Sequence, residues 1–170
     1  VSFSANWYNA TIDAIKAGKL NSSPRASDPG QRPSGADIVL VRNDGDDDRD
    51  RFDVLGISGV IISDSDNLTE FQSIPALTGV VPTTSGHAGK FVILQEPIPA
   101  GEIGRAKVAG MSVVQVNFAA SGDKWADVTD SDATQLAIGP AGGGQVLANP
   151  SGATGKQWAL VRFGQRTRTF

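Results

Sequence analysis

The sequence predicts a mainly β protein: an antiparallel β-barrel or β-sandwich body, with a short N-terminal helix and an extended arm before it. Three observations carry this. The chain holds 20 Gly and 9 Pro with 39% hydrophobic and only 6% aromatic residues, a mix that suits short strands joined by many turns rather than a helical bundle. Seven β-rich runs, bounded by Gly, Pro, Asp or Asn, follow one another from residue 37 onward. Their turn signals recur about every ten residues with no helical crossover pattern between them, which favours antiparallel pairing. No repeat of solenoid or propeller length is evident.

Taken in order, "SANWYNATIDAIKAGKL" places Trp7, Tyr8, Thr11, Ile12 and Ile15 at three- and four-residue spacing, with Ser4 as an N-cap and Gly18 as a stop, so a helix is expected over 5–17. Residues 21–35, "NSSPRASDPGQRPSG", contain three prolines and show no periodicity, the mark of a linker or arm. The boundary falls between an arm at 1–36 and a body at 37–170. Within the body the seven expected strands are "DIVLVRN", "RFDVLGISGVII", "GKFVILQE", "GRAKVAG", "SVVQVNF", "GQVLA" and "KQWALVRFG"; "DNLTEFQSI" adds one helical turn.

A chain of 170 residues can bury a full core. Its net charge of −3 and pI near 5.0 lack the basic footprint of a nucleic-acid binder, so no direct nucleic-acid contact is expected. With no cysteine, disulfides and thiolate metal sites are excluded. No run approaches membrane-span length, and "VSFSANWYNA" lacks the order of a signal peptide, so a soluble protein without membrane contact is expected.

The densest charge lies in "VRNDGDDDRDRFDVLGI", where six acids and three arginines between 42 and 53 account for the whole net charge. An EF-hand needs oxygen ligands at positions 1, 3 and 5, Gly at 6 and Glu at 12. Starting at Asp44 puts Arg49 and Leu55 at the last two positions, and starting at Asp46 puts Arg51 and Ile57 there. Both registers fail, and the stretch reads as a solvated hairpin turn between paired strands, with local ion pairs worth about 0.2 to 1 kcal/mol each.

Other chemistry is sparse. His87 is the only histidine and lies in the loop "TTSGHAGK"; no G-x-S-x-G elbow accompanies it. Glu70, Glu96 and Glu102 are available as carboxylates, but no spacing pairs them for glycoside hydrolysis. "GATGKQW" has Gln157 where a phosphate loop needs Ser or Thr, and "GPAGGGQVL" reads as a flexible turn before a strand. The triplets at Asn9, Asn21 and Asn67 are read as chance matches to the glycosylation pattern. Arg162, Arg166 and Arg168 make the C-terminal stretch basic, and Phe170 is an apolar end that needs burial.

Three stretches, "VRNDGDDDRDRFDVLGISGVII", "HAGKFVILQEPIPAGEIGRAKVAGMSVVQVN" and "GKQWALVRFG", resemble a group of proteins encoded in phage and phage-like gene clusters, where similar blocks occur in this order. The resemblance spans roughly 37–164. Within it "PIPAGEIGRAKVAG" is similar to the strand-turn-strand of small β-barrel modules in virion proteins, including head decoration and cement proteins. The resemblance implies a non-enzymatic virion structural protein. It implies no catalytic residue, cofactor or metal ligand.

The expectation is therefore a capsid decoration protein located in the virion, a homo-oligomer and by first choice a trimer, with the major capsid protein or a tail protein as partner. Attachment would run through the arm, with Phe3, Trp7, Tyr8 and Ile12 as anchors and Phe170 as a further interface residue. A tail, neck or fibre component is the alternative. So is a carbohydrate-binding receptor module using Trp125 or Trp158.

Overall fold

The computed structural model describes residues 37–119 and 122–164. The expected helix, the arm and the residues Phe3, Trp7, Tyr8, Ile12 and Phe170 lie outside the described residues. The body is mainly β: β1 (Ile38–Asn43), β2 (Val54–Val60), α1 (Asp64–Ser73), β3 (Ala76–Val80), α2 (Thr84–His87), β4 (Phe91–Leu94), β5 (Ile103–Lys107), β6 (Gly110–Phe118), β7 (Trp125–Thr129), β8 (Asp132–Gly139), β9 (Gly144–Ala148) and β10 (Gly155–Phe163).

These strands close into two five-stranded barrels, in the orders β1-β3-β2-β4-β5 and β10-β6-β8-β7-β9. The second repeats the first strand for strand. β1 lies parallel to β3 and antiparallel to β5, while β2 pairs antiparallel with β3 and β4. Likewise β6 lies parallel to β8 and antiparallel to β10, and β7 pairs antiparallel with β8 and β9. The order of pairing, rather than any legible residue pattern, carries this duplication.

Three expectations are corrected. There are ten strands rather than seven, because β3 (ALTGV), β7 (WADVT) and β8 (DATQLAIG) are written in Ala, Thr, Asp and Gly, residues of modest strand preference that burial and pairing override. The sheets are not wholly antiparallel. β2 runs on the far side of β3, and the chain returns through α1, so that β3 comes to lie parallel to β1. For the same reason "DIVLV" and "RFDVLGI" are not a hairpin: β3 stands between them.

The two barrels are joined through β4. All four of its side chains are buried, and alternation along a strand sends them to opposite faces. Val92 and Leu94 join Val41, Leu55, Ile98 and Ala106 inside the first barrel. Phe91 and Ile93, with Val54 of β2, belong instead to the cluster of Val114, Val116, Leu136, Val161 and Phe163 from the second barrel. The Phe91 and Phe163 rings stack at 5.5 Å between centroids and 16° between planes.

Polar groups seal the same junction. The Asp127 carboxylate on β7 accepts the Gly89 N–H and the Gly143 N–H, each at 2.8 Å. At Gly143 a Cβ would sit 2.5 Å from the Gly89 Cα, so the backbones approach closely enough to require glycine. The run "GPAGGGQVL" is thus a packed corner, not a free turn. Next to it, Asp130 accepts the N–H and hydroxyl of Thr84, the first residue of α2, and the Ser131 N–H donates to the Pro82 carbonyl at 3.0 Å.

Phe91→Ala removes a side chain shared by this junction. It is expected to cost about 3 to 5 kcal/mol and to lower both barrels together. Urea unfolding followed by far-UV circular dichroism and by tryptophan fluorescence should give coincident transitions shifted by the same amount.

Candidate functional site

The acid-rich connection between β1 and β2 is the first candidate, and its geometry is that of a strut. Asn43 at its start is fully buried. Its side-chain amide donates to the carbonyls of Asp47 (2.8 Å) and Ile98 (3.1 Å), and its Oδ1 accepts the Gly45 N–H at 3.1 Å. Arg49 and Ile98 exchange backbone hydrogen bonds at 3.0 and 2.9 Å, and the Asp48 carboxylate accepts the Ala100 N–H. The connection is thereby tied to the β4–β5 turn of the PIPAGE motif rather than turning in open water, as the sequence had suggested.

Its charges are spent locally. Arg42 pairs with Asp44, Arg49 pairs with Asp47 at 3.3 Å, and the Arg51 guanidinium lies 4.6 Å from the centre of the Phe52 ring. Burial pushes the Asp53 carboxyl above the usual carboxylate range, opposed by the Asp50 N–H it accepts and by Arg49 and Lys156. Among the described residues no three His, Asp or Glu side chains gather where they could hold a metal ion.

His87 closes its own turn. Its Nδ1 accepts the Thr83 N–H at 3.0 Å, and its ring lies so close over β2 that a Cβ on Gly56 would fall 2.4 Å from it. Glu96 accepts the Arg105 N–H at 2.7 Å and pairs with the Arg105 guanidinium at 3.2 Å. Burial raises the carboxyl of Glu96, but these bonds outweigh it and the net shift is downward. Glu70 lies on α1 and Glu102 in the β4–β5 turn. A cavity of about 290 Å³ lies beside β9, lined by Phe118, Asp123, Lys124, Leu147, Asn149 and Thr154 among others.

The strongest candidate is a surface. Ser112, Val114, Val116 and Phe118 of β6 and Ala159, Val161 and Phe163 of β10 are buried, which turns their alternate neighbours outward. The register sets Met111 against Arg162, Val113 against Leu160 and Gln115 against Trp158, with Gln145 of β9 beyond Arg162 and Trp125 of β7 beyond Gln145. Met111 is 50% exposed and Trp158 49%. Val113 and Leu147 are exposed too. Arg162 donates to the Gln145 side chain, and the Trp158 ring meets the edge of Phe52 at 5.9 Å. A row of large apolar side chains on the outside of a barrel, with an arginine among them, has the composition of an interface core.

The sequence reading had singled out Trp125, Trp158 and Arg162 but not Met111 or Val113. The alternation in "GMSVVQVNF" was the available signal, since strict alternation with apolar residues on both faces implies two buried faces. Comparison with protein-family models, with curated proteins and with solved structures finds no match to this chain.

Two outcomes follow from the strut. Asn43→Ala leaves buried donors and acceptors unpaired and is expected to cost about 1 to 3 kcal/mol by chemical denaturation. Asp53 has a raised pKa in the folded chain, so its protonated form favours folding, and that stability is lost as pH rises through the folded value. Asp53→Asn is therefore expected to be more stable than the parent at neutral pH and to converge with it in acid, measured as melting temperature across the range.

Proposed function

We propose that this protein is a non-enzymatic structural protein of a phage virion, a decoration or cement protein that sits on the major capsid protein as a homo-oligomer. One observation carries the reading: the exposed Met111, Val113, Leu147 and Trp158 on the outside of the second barrel, a surface suited to burial against another protein. The resemblance of the PIPAGE motif to virion modules supports it. In the fold that motif is the turn between β4 and β5, cinched by the Gly101 N–H bonded to the Asn43 carbonyl at 2.7 Å.

Attachment to the particle is assigned to residues 1–36, with Phe3, Trp7, Tyr8 and Ile12 as anchors and Phe170 as a further contact. A tethered segment raises the local concentration of its anchors at a neighbouring subunit. Exposure of Trp158 also favours a second reading, a carbohydrate-binding receptor module on a tail or fibre, in which the indole face would stack on a sugar ring.

Quantitative mass spectrometry of purified particles encoded with this gene tests the proposal. A copy number in proportion to the capsid protein is expected. Only a few copies per particle would move the protein to the tail, neck or fibre, and absence from particles would overturn the assembly role. Deletion of residues 1–36 is expected to abolish particle attachment, and Trp158→Ala to leave glycan retention unchanged unless the receptor reading holds.

A further inference from the structure

We propose that α1 of one copy docks on the outer face of β6, β9 and β10 of the next copy, a head-to-tail contact between the first barrel of one subunit and the second barrel of its neighbour. The inference rests on the assembly role and names the contact that builds the homo-oligomer.

Both surfaces expose large apolar side chains among the described residues. α1 buries none of its residues, yet it is well built: Ser63 caps the Asp66 N–H while Asp66 accepts the Ser63 N–H, and Asn67, where the helix breaks, recaps the second half through the Glu70 N–H. On it Leu68 and Phe71, three residues apart, are 53% and 40% exposed, with Val60 of β2 also exposed. A capped helix with an apolar pair in solvent is a helix waiting for a partner surface. Side chains three apart on a helix stand about 5 to 6 Å from each other. Met111 and Val113, two apart on β6, stand about 7 Å apart. The two apolar pairs match in spacing.

Charge selects which surfaces meet. From 52 to 89 the sequence contains no Lys or Arg, and α1 carries Asp64 and Asp66 in its first turn. From 133 to 170 it contains no Asp or Glu. β6 and β9 are uncharged, and β10 bears Arg162 on this face, with Lys156 at its start held near Asp53 and Asp132. A two-fold pairing of the sheet face with itself would bring two copies of Arg162 into one interface, and a pairing of α1 with itself would bring together two sets of its carboxylates. The unlike surfaces attract. Because they lie on different barrels, the contact is heterologous and propagates until it closes into a ring or runs on as a string.

The test uses two full-length variants in purified form. Leu68→Ser with Phe71→Ser removes the docking pair and spares the sheet face; Met111→Ser with Val113→Ser does the reverse. All four side chains are exposed, so the folded state should survive, which circular dichroism checks. By sedimentation velocity the parent is expected to associate with rising concentration, more weakly as salt is added. Each variant alone is expected to associate about tenfold or more weakly. Mixed together they are expected to form one-to-one pairs and nothing larger, since each keeps one competent half. A parent that stays monomeric at its highest soluble concentration overturns the inference, as does a variant that associates like the parent or a mixture that stays monomeric. A monomeric parent that is destabilised by Phe71→Ser would instead mean that another part of the same chain covers α1. Failure here with the protein still present on particles counts against this contact alone; absence from particles counts against the assembly role.

Discussion

The body depends on β4 having no solvent face. Four consecutive apolar residues, Phe91 to Leu94, are buried, two in each hydrophobic cluster. At about 25 cal/mol per Å² of apolar surface, such side chains are costly to expose on either side, so neither barrel is at its free-energy minimum without the other. Val54 and Leu55 of β2 split in the same way. Two small barrels, each closed on its own five strands, thus bury one wall of the first, β4 with part of β2, against the core of the second.

A shared wall requires the connections around it to be positioned, and aspartates do much of this. Asp127 holds two glycine N–H groups from separate loops, Asp130 accepts from Thr84 at the start of α2, and Asp48 reaches the β4–β5 turn. Asp132 belongs to the same pattern. Burial raises its carboxyl, but bonds from Thr134 and Gln135, with Lys156 nearby, bring it below the usual range. Each carboxylate removes the desolvation cost of backbone donors at a junction, which is worth more than an exposed ion pair. Asp48, Asp127, Asp130 and Asp132 thus serve as acceptors that hold connections in place.

What those tasks leave over is at the surface. The first barrel carries the acid-only segment with α1, and β6, β9 and β10 of the second contain no acid. The exposed Leu68, Phe71, Met111 and Trp158 are the observations on which the assembly proposed above rests. That is the physical content of the structural role proposed for it.

The strand-rich character, the segments that became β1, β2, β4, β5, β6, β9 and β10, and the helical turn near Phe71 were legible in the sequence, because alternation and turn residues are local properties. The unbroken "FVIL" was a further local signal, of a strand buried on both faces, that the reading of the sequence left unused. Closure into two barrels, the parallel pairs β1–β3 and β6–β8, and the duplication of topology were decided only in three dimensions. They depend on which strands meet across long stretches of chain, and no local pattern encodes that. Nor could the sequence separate Asp127, which grips two loops, from the aspartates between 44 and 53. The surface divides likewise: the sequence determined that Trp158 and Arg162 share a strand, while only the packing of Val161 and Phe163 inward decided that both face out.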